Sequence, residues 1–259
     1  MKALSILSIL ATEKNGLGMM ELAKKIGLNR STVYRLVSAL SESGFVRQDP
    51  VTQKYSLGLK IIELAGHMLA EMEVREVARP LLQRLMRLTN ETIHLGILGR
   101  GGASGGEVIY IDKIDGPEAV GLLTSVGKTL PAYVTAMGKA IMAYLPEQDL
   151  EDVLDRQSFE ARTENTITDK QAFRDHLKIV RSRGYATDNE ENRLTACCIG
   201  APVFDVNGDA VAAISISGPS FRMTPKKMSA LSEPLKATAL EISKGLGYQA
   251  NMSARNAIP

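Results

Sequence analysis

The segment from Asn29 to Ser38 combines guanidinium groups with short hydroxyl side chains. On a helix, Ser31, Arg35 and Ser38 share one face, while apolar residues recur on the opposite face. Arginine donates to guanine or to phosphate, and hydroxyl groups donate to phosphate oxygens. This chemistry fits a helix that enters the major groove of DNA. A polar helix face that meets only water has the same pattern, so this segment alone leaves both interpretations open.

A two-stranded hairpin is predicted directly after this helix. Phe45–Arg47 pairs with Lys54–Leu57 across residues 48–53. A helix, a turn, a second helix and such a hairpin, or wing, form a winged helix-turn-helix, a common DNA-binding module. The residues predicted to contact DNA are Asn29, Arg30, Ser31, Thr32, Tyr34, Arg35, Ser38, Arg47 and Lys54.

The two cysteines of the chain, Cys197 and Cys198, are adjacent, and His94 lies in an apolar segment. Thiol catalysis or redox sensing is the second class of chemistry that such residues could support. Neighbouring side chains on a strand point to opposite faces, so the two thiols do not readily chelate one ion. We therefore predict no metal site, no catalytic residue and no cofactor. His94 is expected either to line a pocket or to be structural.

Apolar spacing predicts the elements that position the DNA-contacting helix. A first helix ends at Asn15–Gly16, and a second runs from Met20 to Ile26 and ends at Gly27. Asn29 is the expected N-cap of the third helix. The inward residues of the first helix are predicted to be Leu4, Ile6, Leu7, Leu10 and Ala11. Those of the third helix are predicted to be Val33, Leu36, Val37 and Leu40.

Two further helices are predicted at residues 59–70 and 74–89. The first connects the DNA-binding module to the rest of the chain. Such a connector is a natural place for dimerisation, because a two-fold axis matches palindromic half-sites on DNA. Packing of this helix against the rest of the chain is the simpler alternative, and both can hold together.

A mixed α/β pattern follows Asn90. Strands are predicted at residues 92–98, 108–114, 119–125, 198–204 and 210–217. Helices are predicted at residues 135–144, 146–155, 170–183 and 225–246, the third with a capping box of Thr168 and Gln171. The glycine-rich loop 99–106 joins two strands instead of opening a helix, so it predicts a hairpin tip and no phosphate loop. His67 and His176 are expected to be exposed.

Length and charge agree with a two-domain regulator. A chain of 259 residues allows two domains. It has no apolar run long enough for a membrane span, and its start does not resemble a signal peptide, so a cytoplasmic protein is expected. Residues 1–60 carry nine Lys and Arg against four Asp and Glu, whereas the remainder is net acidic. That asymmetry is expected when one end meets phosphate, although a hydrated charged surface can produce it too.

Eight segments, in order along the chain, resemble the IclR family of bacterial transcriptional regulators. They are Leu28–Leu36, Tyr55–Gly58, Ala136–Ala140, Gly184–Tyr185, Asp188–Asn192, Cys198–Ile199, Ala201–Asp205 and Ser215–Pro219. Glu91–Gly96 and Ile109–Asp115 are most similar to the KdgR-type branch, whose members respond to sugar-acid intermediates of pectin breakdown.

The resemblance implies an α+β fold with three parts and a tail. These are a winged helix-turn-helix domain at residues 1–58, a linker helix at 59–73, a GAF-like α/β effector-binding domain at 74–250, and a tail at 251–259. It also implies homodimers or homotetramers built as dimers of dimers. Met137 stands where the family more often has a smaller residue, and Cys197 adds a second thiol beside Cys198. Both differences bear on the identity of the effector.

The resemblance further implies a pocket for a small carboxylate or sugar-acid effector. With His94 added from the residue pattern, the predicted effector-binding residues are His94, Ala136, Met137, Asp188, Cys198, Ser215 and Ser217. We therefore predict a ligand-responsive regulator, a repressor of a sugar-acid catabolic operon, whose partners are double-stranded operator DNA and the effector, with no membrane partner. A GAF-like thiol-dependent enzyme or redox sensor that uses Cys197 and Cys198 is the alternative.

Overall fold

The computed structural model describes residues 2–99, 106–118 and 124–249. The chain divides into two compact units, Met1–Glu71 and Met72–Pro259. The tip of the glycine-rich loop (100–105), most of the strand predicted at 119–125, and the predicted tail (251–259) lie outside the described residues. Thr124 and Ser125 are described, and they are not part of a strand.

The first unit has the element order of a winged helix-turn-helix followed by one more helix. Its elements are α1 (Lys2–Thr12), α2 (Met19–Ile26), α3 (Arg30–Glu42), β1 (Val46–Gln48), β2 (Tyr55–Leu57) and α4 (Lys60–Ala70). The strands β1 and β2 are antiparallel, with Arg47 opposite Ser56. The predicted wing is confirmed, although Phe45 and Lys54 lie just outside its strands.

The core of the first unit lies between α1, α2, α3 and the hairpin. Ile6, Leu22 and Val33 are fully buried in it. The prediction that Leu4 and Ala11 face inward was wrong, since Leu4 is 66% exposed and Ala11 is exposed as well. The apolar residues of α1 form two overlapping stripes, and packing against the other helices selects the stripe that contains Ile6 and Leu10.

The turn between α2 and α3 is defined by two residues with special roles. Gly27 ends α2 in the left-handed conformation, with φ of 71°, which glycine adopts without the steric cost of a Cβ. The side chain of Asn29 accepts a hydrogen bond from the backbone N–H of Thr32 at 2.9 Å. Asn29 is therefore the N-cap of α3, as the sequence predicts.

The helix α4 has no buried residue among those that the structure describes. An apolar stripe that contains Leu59, at the N-terminal end of the helix, and Ile62 is exposed: these side chains are 76% and 69% accessible. Met68, on another side of the helix, is 56% accessible as well. Among the described residues of its own unit, nothing apolar covers this stripe.

The second unit alternates helices with the strands of one sheet. Its elements are α5 (Glu73–Thr89), β3 (Thr92–Gly99), β4 (Glu107–Ile114), β5 (Thr129–Pro131), a 3₁₀ turn (Ala132–Val134), α6 (Ala136–Met142), α7 (Glu147–Arg156), α8 (Lys170–Arg183), β6 (Ala186–Asn189), β7 (Ala196–Phe204), β8 (Ala210–Pro219) and α9 (Pro225–Gly245). The sheet order is β5-β4-β3-β8-β7-β6, and every paired neighbour is antiparallel.

The register of this sheet places polar side chains in adjacent rows. Asp188 of β6 lies opposite Cys198 of β7, which lies opposite Ser217 of β8. Ser215, two residues before Ser217 on β8, lies opposite His94 of β3. Residues in register on antiparallel strands project from the same face, so these side chains share one side of the sheet.

Helices pack around the sheet in two groups. The helices α6, α7 and α8 share an apolar cluster with Val108, Tyr110 and Ala213 of the sheet. The helices α5 and α9 pack against each other and against β3, β7 and β8. Across the described ranges, none of the helices combines the length and the apolar character that a membrane crossing requires.

Three predictions for the second unit were wrong. The N-cap of α8 is Asp169, whose carboxylate accepts from the N–H of Ala172, and not Thr168. Leu88, which stands at helical spacing with Leu81 and Leu85, was expected inward but is 68% exposed, whereas its neighbour Thr89 is buried. His176 is half-buried on α8 instead of exposed. The short strands β5 and β6 have no clear alternation, and the sequence pattern did not indicate them.

Candidate functional site

The outer face of α3 presents the side chains expected for DNA contact. Ser31 and Arg35 are exposed, and Tyr34 is 59% exposed. Arg30 is exposed as well, while Thr32 and Ser38 are half-buried at the sides of the helix. Asn29 is engaged in capping, and it also accepts a hydrogen bond from the Ser31 hydroxyl at 3.0 Å. Its side chain therefore shapes the start of the helix.

The wing carries its basic side chains on an ordered hairpin. The Nε of Arg47 donates to the hydroxyl of Ser56 at 3.1 Å, and Arg47 is exposed. Lys54 is half-buried just before β2. At the tip, Asp49 accepts hydrogen bonds from the N–H of Thr52 at 2.7 Å and of Val51 at 3.0 Å. Those bonds, above all the one from Thr52, lower the pKa of Asp49 and stabilise the turn.

The second unit contains a polar cavity of about 260 Å³ between the sheet, the start of α6 and the loops beside them. All seven residues predicted to bind an effector line it, which are His94, Ala136, Met137, Asp188, Cys198, Ser215 and Ser217. The side chains of His94, Asp188 and both serines are almost completely buried. The structure therefore brings together residues that are as much as 123 positions apart in the chain.

His94 is the centre of a hydroxyl network on the cavity wall. Its Nε2 lies 2.8 Å from the hydroxyl of Thr124, and its Nδ1 lies 3.3 Å from the hydroxyl of Ser217. The ring of Tyr110 packs against it edge-on, with ring centroids 5.1 Å apart. Burial, followed by the charge of Lys113, lowers the pKa of His94 to about 3. The imidazole is therefore neutral at physiological pH, with one donor and one acceptor nitrogen.

Asp188 lies at the end of the edge strand β6, in the cavity wall. Its Oδ1 accepts from the N–H of Glu191 at 2.8 Å and of Asn192 at 3.4 Å. Burial is the largest influence on this carboxyl and raises its pKa to about 7, against the opposing effect of the Lys139 ammonium. The side chain is therefore poised to be protonated or ionised near neutral pH.

The two cysteines occupy different environments. Cys198 lines the cavity beside Ser217, whereas the thiol of Cys197 donates to the side-chain oxygen of Asn189 at 3.4 Å. Burial raises the pKa of both thiols, that of Cys197 to about 11. Thiolate is the reactive form of cysteine, so this environment disfavours thiol chemistry at neutral pH. Over residues 2–99, 106–118 and 124–249, no cluster of three His, Cys, Asp or Glu side chains is arranged to hold a metal ion.

Sequence reasoning missed several lining residues that come from loops and from β4. These are Tyr110, Thr124, Lys128, Arg162, Asn192 and Arg193. Three of them are cations, and Arg162 and Arg193 are exposed, so positive charge lies at the mouth of the cavity. Of these missed residues, only Asn192 and Arg193 could have been suspected from the sequence, because they belong to the polar run from Asp188 to Arg193. The loop residues follow no periodic pattern that would indicate a site.

The start of α6 is held close to the sheet. The hydroxyl of Thr135 accepts from the N–H of Gly138 at 3.0 Å, so Thr135 is the N-cap of this helix. A Cβ on Gly200 of β7 would lie 2.7 Å from the carbonyl carbon of Ala136, so glycine is required there for the close approach. The N–H groups of Ala136 and Met137 belong to the first turn, where a helix has no internal acceptors.

Met137 is accommodated mainly by the protein core. A Cβ on Gly96 would lie 3.2 Å from the sulfur of Met137, so the thioether occupies the space that the missing side chain leaves. The Met137 side chain is 1% exposed and belongs to the apolar cluster beneath α6. The Met137 side chain is therefore held in the core at the same time as it lines the cavity.

A winged helix-turn-helix followed in the same chain by an α/β unit with a polar cavity defines a class of DNA-binding transcriptional regulators. Residues 1–50 match the model of the IclR helix-turn-helix domain. Residues 66–244 match the model of the C-terminal domain of the bacterial transcriptional regulator IclR. The chain belongs to the IclR family of bacterial transcriptional regulators.

Individual relatives match along nearly the whole chain. The transcriptional regulator KdgR of Escherichia coli is 34% identical over 248 residues, which cover 96% of this chain and 92% of KdgR. The regulator XynR of the same organism is 32% identical over 249 residues, or 96% of this chain and 97% of XynR. The crystal structure of the Thermotoga maritima IclR superposes with a TM-score of 0.73 at 36% identity, covering 95% of this chain and 98% of that one.

Proposed function

We propose that this regulator is a repressor whose affinity for operator DNA is changed by a small carboxylate, of the sugar-acid type, bound in the cavity of the second unit. One observation carries the proposal. Among the described residues that line the cavity there are three cations and one acidic residue, Asp188, whose pKa is raised to about 7 by burial. Such a site favours an anion, because the lining keeps a positive balance at neutral pH.

The buried part of the cavity suits the rest of a sugar acid. The hydroxyls of Ser215 and Ser217 and the neutral ring of His94 can each donate to or accept from ligand hydroxyl groups. The cavity volume of about 260 Å³ is also larger than a two-carbon acid would fill. One water molecule occupies about 30 Å³ in the liquid, and such an acid is only a few times that size. The likeness to KdgR agrees with this ligand class.

The DNA-binding surface in this proposal is the outer face of α3 together with the wing. Ser31, Tyr34 and Arg35 would reach into the major groove, while Arg47 and Lys54 would contact the phosphate backbone beside it. The exposed apolar stripe of α4 would pair with that of a second copy. A homodimer, or a homotetramer built from two dimers, would then bind a palindromic operator in the cytoplasm. No catalytic step is assigned to the protein.

The test begins with an operator duplex that the purified protein selects from random-sequence DNA. Release of this duplex is then followed by fluorescence anisotropy while D-gluconate is added. D-Sorbitol, which has the same carbon chain without the carboxylate, is the matched control. We expect D-gluconate to change operator affinity and to raise the melting temperature, because it binds the folded state, while sorbitol does neither. Equal responses to both compounds would contradict a carboxylate site.

The thiol alternative is tested in the same assay. Replacing Cys197 and Cys198 by serine should leave operator binding intact, because both thiols belong to the second unit, whereas α3 belongs to the first. A loss of operator binding only after thiol oxidation, restored by reductant, would support a redox sensor instead.

A further inference from the structure

A buried ion pair lies directly behind the effector cavity. Lys139 of α6 has no exposed surface, and its Nζ contacts the carboxylate of Glu191, which is itself 5% exposed. A buried ion pair costs desolvation free energy, and replacing one by apolar residues is often neutral for stability. Its presence next to a ligand site therefore calls for a role beyond folding.

The same ion pair is connected to Asp188 through the turn that follows β6. The backbone N–H of Glu191 donates to Asp188 Oδ1 at 2.8 Å, while Lys139 directs its ammonium to the Glu191 side chain. The hydroxyl of Thr166 donates to the carbonyl of Glu191 at 2.7 Å and fixes this turn from the opposite loop. Asp188 thus faces the cavity with one buried cation and one buried anion behind it.

We propose that Lys139 and Glu191 are positioning residues of the effector site, which set the charge of the Asp188 carboxyl and with it the pH range in which the cavity admits a carboxylate ligand. This rests on the proposed function. Where Asp188 is ionised, ligand entry is accompanied by uptake of one proton from solvent, and the protonated carboxyl donates a hydrogen bond to a ligand oxygen. No covalent bond forms or breaks in the ligand.

The two positioning residues act on Asp188 with opposite signs. The Lys139 ammonium favours the ionised carboxylate and lowers the pKa of Asp188, while the Glu191 carboxylate raises it. Other titratable or charged groups also face Asp188 or line the cavity with it. They are His94 on β3, Tyr110 on β4, Cys197 and Cys198 on β7, and Lys128, Arg162 and Arg193 on the loops. From α8, His176 faces Lys139, and Arg183 interacts with Glu191.

The direction of the pH effect follows from the raised pKa of Asp188, about 7. Below that pH the carboxyl is neutral and can donate to an anion, and above it the carboxylate repels one. Affinity for a carboxylate should therefore be constant at low pH and fall by up to about tenfold per pH unit above the midpoint. D-Gluconate is the probe, since its own carboxylate stays ionised through this range.

Two single substitutions separate an electrostatic role from a structural one. Lys139→Met removes the cation, so the titration midpoint of Asp188 should move to higher pH. Glu191→Gln removes the anion, so the midpoint should move to lower pH. Both variants break the same ion pair, and a purely structural role would therefore affect both in the same direction. The double variant buries no unpaired charge and should give a midpoint between those of the two single variants.

The midpoint is measured in the full-length protein by NMR of ¹³C-carboxyl-labelled aspartate, with Asp188→Asn to assign the signal. The pH dependence of D-gluconate affinity is measured on the same variants by calorimetry. Opposite shifts of the midpoint support the proposal, whereas shifts in one direction, or none, overturn it. If D-gluconate fails to bind the unmodified protein at any pH, the proposed ligand class fails, and the NMR titration still decides the role of Lys139 and Glu191.

Discussion

The neutral ring of His94 allows the cavity to pair with both donors and acceptors of a polar ligand. Because burial keeps the ring neutral, one ring nitrogen donates and the other accepts. Its neighbours Thr124, Ser215 and Ser217 are hydroxyl groups, whose hydrogens rotate to suit either role. A ligand hydroxyl can therefore replace any one of these contacts without leaving a buried donor unpaired. A charged histidine would lose that versatility.

At the residue scale, Arg35 provides the sharpest test of the DNA-binding surface. Arg35→Ala should weaken operator binding by about 1–3 kcal/mol if the guanidinium contacts a base edge. If it contacts phosphate instead, the slope of log affinity against log salt should decrease by about 1. Fluorescence anisotropy at several salt concentrations distinguishes these two cases.

The matched control for Arg35 is Arg156→Ala, which removes an exposed arginine from α7 in the other unit. This variant should bind the operator as tightly as the unmodified protein. Equal losses in both variants would mean that net charge alone attracts DNA, and the assignment of α3 as the recognition helix would then be wrong.

At the scale of elements, register and close approach build the cavity. Asp188, Cys198 and Ser217 come from three strands, and antiparallel pairing places them in one row. The helix α6 closes the site because Gly200 allows its first turn to touch β7. A slip of one residue in any of these strands would turn the polar row to the opposite face and abolish the site.

The N-cap of α3 is the element-scale prediction for the DNA-binding unit. Asn29→Ala should lower the free energy of unfolding of this unit by about 1 kcal/mol, because it removes the acceptor for the N–H of Thr32. Urea unfolding followed by circular dichroism measures the change. Operator affinity should fall with it, since the first turn of α3 carries Ser31.

Asn29→Ser is the control, because serine is also a good N-cap. It should preserve both the stability and most of the operator affinity. A serine variant that is stable yet fails to bind DNA would show that Asn29 contacts DNA directly, in addition to capping the helix.

At the scale of the whole molecule, the two proposed functions, effector sensing and DNA binding, are assigned to separate compact units. The surface proposed to meet DNA lies within Met1–Glu71, and the cavity lies within Met72–Pro259. A change in the cavity that leaves the fold intact should therefore alter the response to the effector without altering operator affinity in its absence. Effector control then has the form of a coupling free energy between two sites.

Ser217→Ala tests this separation. Loss of one hydrogen bond to the effector should raise the D-gluconate concentration needed for half of the response by about tenfold, which corresponds to about 1.4 kcal/mol. Operator affinity without ligand should stay the same. Ser182→Ala, on the exposed side of α8, is the control and should change neither quantity. Parallel loss of DNA binding and ligand response in Ser217→Ala would contradict a separate sensor.

The first unit could be predicted almost completely, and the second only in part. Gly27, Asn29 and the apolar spacing of α3 act within a few residues, so their roles are visible in the sequence. By contrast, the inward stripe of α1 depends on which neighbours it meets, and Leu4 was misplaced for that reason. In the second unit the short strands β5 and β6 gain their conformation from pairing with β4 and β7, and local pattern did not reveal them.

The sequence by itself determined the helix-turn-helix, its wing and the exposed polar face of α3, because local propensity, capping and periodicity suffice to form them. Through its family motifs it also indicated Asp188, Cys198, Ser215 and Ser217, and the residue pattern added His94. Only the tertiary structure placed them around one cavity and added the cations Lys128, Arg162 and Arg193 at its edge. The tertiary structure alone also decided that Lys139 is buried with Glu191 behind Asp188, because desolvation and long-range pairing depend on how distant segments pack together.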